Sequence, residues 1–212
     1  MKPIIEIKEL IMRYDNLKVL DIPHFVVYEN ERLGIIGSNG AGKSTLLRLI
    51  IGLEKPTSGK ILFEGEELSR RRACQAMAIV FSDTLLFNRN VEENIKLGLK
   101  IRGYKKEEAD RLCKKWLCAL EIAHLKDRPK DKLSTGQIKR VALAMALALQ
   151  PKVLLLDEPF SYLDNQIKEK LINQLKEILF NTKTTLIFVS HDKAELESLC
   201  TRIIFLKDGK LQ

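Results

Sequence analysis

Gly37-Ser38-Asn39-Gly40-Ala41-Gly42-Lys43-Ser44-Thr45 is the stretch that decides the fold. It fits GxxxxGK[ST] and falls between a short apolar run, Leu33 to Ile36, and a segment carrying Leu46, Leu47, Leu49 and Ile50 at helical spacing. That helix is expected to stop near Gly52 and Pro56. Strand, glycine-rich turn and helix are the context such a loop requires. The glycines permit a tight loop and close backbone approach, so that several N–H groups point at one phosphate chain. A helix beginning near Lys43 adds the positive end of its dipole. The lysine ammonium reaches the terminal phosphates, and the Ser44 hydroxyl can ligate Mg²⁺. Residues Gly37 to Thr45 are therefore the expected nucleotide-binding loop.

A phosphate-binding loop needs an acid at the end of a neighbouring strand. Val153-Leu154-Leu155-Leu156-Asp157-Glu158-Pro159 supplies it. Asp157 is the expected Mg²⁺ ligand, at the carboxyl end of a strand where open α/β sheets bind ligands. Glu158 is placed to act as general base on the attacking water.

Strand signals precede the loop, at Ile4 to Leu10 and Phe25 to Tyr28, and follow it at Lys60 to Phe63 and Ala78 to Phe81. From about Asn90 to Leu149 the period turns helical, with Leu112, Trp116, Leu117 and Leu120 as one buried stripe. Beyond it, strands at Val153 to Leu156, Thr185 to Ser190 and Ile203 to Leu206 alternate with helices at Asn165 to Leu179 and Lys193 to Leu199. Helix-separated apolar strands imply a parallel sheet covered on both faces. The expected division is a single domain over 1–212, with an α/β core from about 1–89 and 150–212 and a helical subdomain at about 90–149.

Composition narrows the function classes. A chain of 212 residues with 45% hydrophobic and 30% charged residues is that of a folded domain. Its longest apolar run, Val141 to Leu149, is well short of the ~20 residues that span a bilayer. No secretory leader is legible in MKPIIEIKEL. Cys74, Cys113, Cys118 and Cys200 form no CxxC pair, so buried reduced thiols are expected rather than a metal or redox site. Of the net charge of +8, a surplus of seven lies within residues 100–140, where 13 Lys/Arg face six Asp/Glu. Only Tyr104 and Trp116 are aromatic there, which is thin for base stacking and argues against a nucleic-acid partner.

With these residues in view, the chain resembles an ATP-binding cassette (ABC) ATPase, the nucleotide-binding subunit of an ABC transporter. Leu133-Ser134-Thr135-Gly136-Gln137 resembles the LSGGQ signature, with Ser134 23 residues before Asp157. Ser161-Tyr162-Leu163-Asp164 resembles the D-loop, and His191, 34 residues after Asp157, the switch histidine. Tyr14, 23 residues before Gly37, stands where the family places an aromatic ring against adenine. The resemblance implies a P-loop NTPase fold, a RecA-like parallel sheet with an N-terminal antiparallel β part and an inserted helical subdomain. It implies ATP and Mg²⁺ as cofactors, with Lys43, Glu158 and His191 catalytic and Ser44 and Asp157 on the metal. It implies a head-to-tail homodimer in which Ser134, Thr135, Gly136 and Gln137 of one copy cap the nucleotide of the other, beside D-loop residues Ser161, Leu163 and Asp164. Helix-opening Ser134 agrees, since it offers a hydroxyl and N–H donors to an anion.

The implied partners are transmembrane permease subunits and, through them, a solute-binding protein. The implied location is cytoplasmic, peripheral on the inner face of the membrane. The stretch from Leu85 to Gly103 resembles tungstate/molybdate-type anion importers, although the cassette never touches cargo. Three positions depart from the family. Ser82 takes the place of the Q-loop glutamine that would reach the metal, Thr135 replaces a signature glycine, and Met145 stands where arginine is frequent. Ser82 is shorter by several ångströms, so reduced hydrolysis is expected. A weakly hydrolysing regulatory cassette, or a cassette acting on nucleic acid or ribosomes, are the alternatives.

Overall fold

The computed structural model describes residues 2–212. By backbone contacts the chain forms two compact units, residues 1–79, 152–158 and 179–212, and residues 80–151 and 159–178. The first holds two sheets. Strands β1 (Pro3–Tyr14), β2 (Leu17–Tyr28), β4 (Ser58–Phe63) and β5 (Glu66–Glu67) form an antiparallel sheet in the order β2-β1-β4-β5. The strands β3 (Arg32–Ile36), β6 (Met77–Val80), β7 (Val153–Asp157), β8 (Thr185–Ser190), β9 (Arg202–Lys207) and β10 (Lys210–Leu211) form the second, ordered β10-β9-β3-β8-β7-β6. Within it β9, β3, β8 and β7 run parallel.

The first strand is longer than its sequence pattern indicates, because a bulge changes its phase. Ile5 and Ile7 are buried on odd positions, Leu10 and Met12 on even ones. The slip falls at Glu9, which takes φ +50°, where pairing with β4 shifts between Lys8 and Ile11. Opposite it, Gly59 has φ +78°, and a Cβ there would stand 2.2 Å from the Glu9 carbonyl oxygen, so only glycine fits. Period-2 reading ends at such a phase change.

In the parallel sheet every residue of β7 and β8 is buried, as strands covered on both faces require. Helix α1 (Lys43–Ile50) lies against β7, and its Leu46, Leu47, Leu49 and Ile50 join Ile35, Leu155 and Ile187 in one core. The register aligns three carboxyl ends. Ile36 pairs with Ser190, and Asp157 with Val189. The loop after β3 and the residues ending β7 and β8 therefore emerge side by side. Short α2 (Arg70–Ala76), capped by Ser69, and α7 (Lys193–Leu199) complete this unit. Neither α2 nor β10 was legible in the sequence, since seven and two residues carry too little periodicity.

The second unit is helical. Helices α3 (Val91–Ile101), α4 (Lys106–Ala119) and α5 (Thr135–Ala148) pack on one another, and most of α6 (Asn165–Thr182) belongs with them. The expected stripe on α4 and its exit turn, Leu112, Trp116, Leu117 and Leu120, is buried. An Asn90/Glu93 capping box starts α3. The helical unit begins at residue 80 and takes in 159–178, which the sequence division had assigned to the core.

The cysteines correct one expectation. Cys113 is buried and Cys200 partly so, their thiols pushed by burial to about 11 and about 12. Cys74 and Cys118 are exposed, because each lies on the wet face of an amphipathic helix.

Candidate nucleotide-binding site

The loop Gly37–Gly42 leaves β3 and enters α1 at Lys43, as its pattern requires. Gly37 is demanded by space. A Cβ there would lie 2.4 Å from the Leu206 carbonyl oxygen of β9. Gly42 is demanded by conformation as well, with φ +101° and a Cβ position 2.7 Å from a Leu20 methyl. Asn39, Gly40, Gly42, Lys43, Ser44 and Thr45 line a cavity of about 210 Å³ together with Val19 of β2 and Glu158. Val19 carries no chemical signal and was not anticipated. A larger cavity of about 590 Å³ lies between the end of α1 and β4–α2, but it contains no residue of the loop.

Lys43 is buried, and its ammonium donates to the Gly37 and Ser38 carbonyl oxygens at 2.9 and 3.0 Å. It also lies 3.8 Å from a Glu158 carboxylate oxygen. The other oxygen of Glu158 is 3.2 Å from His191 Nδ1. One carboxylate thus stands between the loop lysine and the strand-end histidine. Glu158 has φ +46°, a left-handed backbone for a non-glycine residue, held by its N–H donating to the Val189 carbonyl at 3.0 Å. Such conformations persist where surrounding structure over-determines them.

His191 is 64% exposed by its side chain, but its backbone is well anchored. The buried Ser190 hydroxyl donates to a Glu195 carboxylate at 2.7 Å and accepts from the Asp192 N–H at 3.0 Å. Asp192 in turn caps α7. Ser190, Asp192 and Glu195 fix the backbone beside His191 and were not among the residues that the sequence marked. The capping pattern of Asp192 before an α-helical run was the available signal.

Asp157 ends β7 and is 5% exposed. Burial holds its carboxyl above the ordinary carboxylate range; the hydrogen bond from Ser44 opposes this, the Glu158 charge adds to it, and the Lys43 ammonium opposes it. A hydroxyl and a buried carboxylate side by side are hard oxygen donors, the set that Mg²⁺ accepts alongside water and phosphate oxygens. A bound dication would offset the carboxylate's desolvation. The residues present fit the ion.

Tyr14, closing β1, is 41% exposed. Its hydroxyl donates to Glu54, a residue also 3.6 Å from Arg48. Glu54 was not anticipated.

The remaining sequence candidates lie in the helical unit. Ser134 is the N-cap of α5 and forms a capping box, its hydroxyl accepting from the Gln137 N–H at 3.4 Å and its own N–H donating to Gln137 Oε1 at 3.0 Å. The Ser134 N–H therefore serves the helix, and the anion donors it was expected to contribute reduce to its hydroxyl and the amides of the first turn. Gly136 permits close packing, since a Cβ there would lie 3.3 Å from an Ile167 methyl and 3.7 Å from Leu163. The start of α5 thus packs on Leu163 and Ile167. Thr135 occupies the first helical position of α5. Ser161 and Leu163 are half-buried, and Asp164 is exposed, accepting from the Ile167 N–H at 3.0 Å. Ser82 follows β6 and is half-buried, while Asp83 beside it is exposed.

The family profile described as "ABC transporter" matches residues 20–161. This chain belongs to that family. The cassette is 35% identical over 212 residues to the Fe(3+) ions import ATP-binding protein FbpC 1 of Pectobacterium atrosepticum, covering 99% of the chain and 60% of that relative. It is 37% identical over 211 residues to a probable sulfate/thiosulfate import ATP-binding protein CysA of Chlorella vulgaris, covering 97% and 88%. Among solved structures, cbiO1 of Clostridium perfringens, part of the cbiONQ ABC transporter complex, superposes with a TM-score of 0.90 at 31% identity, covering all of this chain and 88% of that one. A dimeric ATP-binding cassette in a post-hydrolysis state with ADP and Pi superposes at 0.89 and 28% identity, covering 98% and 96%. The fold is therefore that of a P-loop ABC ATPase cassette, whose cofactors are ATP and Mg²⁺. The chain spans about 60% of the length of the iron-import relative. Among the described residues, no helix is long and apolar enough to cross a membrane.

Proposed function

We propose that the cassette hydrolyses ATP as a head-to-tail homodimer and powers separately encoded permease subunits in solute import, docked peripherally on the cytoplasmic face of the membrane. The observation that carries this reading is the Glu158 carboxylate, 3.8 Å from Lys43 and 3.2 Å from His191, beside the Asp157–Ser44 pair.

The loop amides Gly37 to Thr45 bind the phosphates, and Lys43 exchanges its carbonyl partners for phosphate oxygens. Tyr14 stacks on the base. Ser44 and Asp157 would hold Mg²⁺, which would supply charge neutralisation to the phosphates. Glu158 orients the attacking water and takes its proton. His191 holds the Glu158 side chain in place and stabilises the γ-phosphoryl charge. Ser134, Thr135, Gly136 and Gln137 of the partner copy close the site, with Ser161, Leu163 and Asp164 at the dimer seam. In function the nucleotide core is about 1–89 and 150–212 and the signature subdomain about 90–149, a division that differs from the compact units at 80–89 and 159–178.

Exposed Leu85 and Phe87, at 88% and 55%, are an apolar surface for the permease. Curated relatives named for iron and for sulfate or thiosulfate import support an inorganic-ion importer; a solute-binding protein acts on the cassette through the permease. Glu158→Gln is the test. It is expected to lower steady-state hydrolysis at least about 100-fold, the scale of general-base catalysis, and to accumulate an ATP-dependent dimer in size-exclusion chromatography. Undiminished hydrolysis refutes the role of Glu158. Ser82 in the glutamine's place favours a second reading, a weakly hydrolysing regulatory cassette, which predicts no stimulation by the assembled permease.

A further inference from the structure

Lys139 lies one turn into the signature helix and is 3% exposed. A buried ammonium ordinarily needs a carboxylate, yet among the described residues none pairs with it. Its recorded acceptor is the backbone carbonyl of Ser82, 57 positions away. Burial holds the lysine below its ordinary range, and only the charge of exposed Asp83 opposes that. A desolvated cation aimed at a main-chain oxygen is an expensive way to satisfy one carbonyl, and methionine would fill the same space without the charge. The placement is therefore informative.

The loop that Ser82 opens is bolted elsewhere in the same manner. Thr84 donates its hydroxyl to the Phe81 carbonyl at 3.0 Å. Lys130 reaches the Leu86 carbonyl at 3.4 Å. Fully buried Asn94 of α3 accepts from the Phe87 N–H at 2.8 Å and donates to the carbonyls of Phe87, Arg89 and Asn90. Side chains of the helical unit thus hold residues 82–90, and the loop presents Leu85 and Phe87 outward. Of these ties, only Lys139 belongs to the helix that Ser134 caps.

We propose that Lys139 is a positioning residue: it fastens the Ser82 segment to the signature helix, so that nucleotide engaged at Ser134 is felt in the loop bearing Leu85 and Phe87. The inference rests on the dimeric ATPase reading above. It also gives the Ser82 position a main-chain role that survives loss of the glutamine side chain.

Hydrogen exchange on the full chain tests it, in the Glu158→Gln background with and without Mg-ATP. With Lys139 present, segments 134–138 and 83–88 are both expected to gain protection when ATP is added. In Lys139→Met the signature segment should still respond. Segment 83–88 should exchange about fivefold faster without nucleotide, the loss of one net hydrogen bond, and should no longer respond to ATP. Lys139→Arg should restore the response, and Lys139→Gln, uncharged and one bond too short to hold the Ser82 carbonyl, serves as the loss variant if the methionine variant does not fold. An ATP response of 83–88 in Lys139→Met, or in Lys139→Gln where it stands in, equal to that of the Lys139 parent overturns the proposal. Silence of both segments in the Lys139 parent overturns the nucleotide reading, and the proposal with it.

Discussion

Asp157→Asn should make the nucleotide-free protein more stable and the nucleotide-bound protein less so. The wild-type carboxyl is 5% exposed, and burial is the first reason it sits above its ordinary value of 3.8. A group whose pKa rises on folding is held protonated in the native state at pH values where the unfolded chain ionises it. Its destabilising contribution is absent below the unfolded value and complete above the folded one. Asparagine keeps the shape and a partner for the Ser44 hydroxyl while removing the charge. The expected gain at pH 8 without nucleotide is on the order of 1 kcal/mol, about 2–4 °C in Tm for a chain of this length.

Mg-ATP inverts the order. At 100 times its Kd it stabilises the wild type by about 2.7 kcal/mol. The variant gains far less, because a neutral amide is a poor Mg²⁺ ligand beside phosphate. Differential scanning calorimetry between pH 4.5 and 8, with and without Mg-ATP, reads both effects. A variant that melts below the wild type at pH 8 without nucleotide, or a difference that does not shrink on acidification, would refute the reasoning.

Gly37→Ala puts a methyl 2.4 Å from the Leu206 carbonyl oxygen; a loss of about 1–3 kcal/mol and of ATP binding is expected by thermal shift and fluorescent-nucleotide titration. Ser82→Gln should raise hydrolysis in the assembled transporter, measured as phosphate release, and an unchanged rate contradicts the part assigned to that side chain. Lys105, Lys106, Lys114 and Lys115 are exposed at the start and along the wet face of α4. At ~1 kcal/mol per lysine near an anionic leaflet, changing all four to glutamine should cut co-sedimentation with phosphatidylserine vesicles by about tenfold or more. ATP affinity should not change.

The parallel sheet, the phosphate loop and the acid pair were legible because each depends on contiguous residues. Leu33 to Thr45 carries its own strand, turn and helix signals, and Val153 to Glu158 its own strand and acids. The stripe on α4 was legible for the same reason, since a helical period repeats within one segment. The full length of β1 was not, because the bulge at Glu9 moves the buried face from odd to even residues, and Gly59 on another strand makes room for it. Helix α2 and strand β10 were too short to show a period.

At the site, residue types and spacing marked Lys43, Ser44, Asp157 and Glu158, since phosphate, Mg²⁺ and a reacting water each require those functional groups, while His191 was marked through the family resemblance. Which of them meet was decided by sheet register. Ile36 beside Ser190 and Asp157 beside Val189 bring three distant segments to one edge, and the left-handed turn at Glu158 sets its carboxylate between Lys43 and His191. Val19, Glu54 and the Ser190–Glu195 anchor entered the same way, through pairing and packing that no local pattern encodes. Lys139 shows the contrast in a single residue. In sequence it is one lysine among 13 basic residues between positions 100 and 140, and only its burial against the Ser82 carbonyl separates it from the others, none of which is buried.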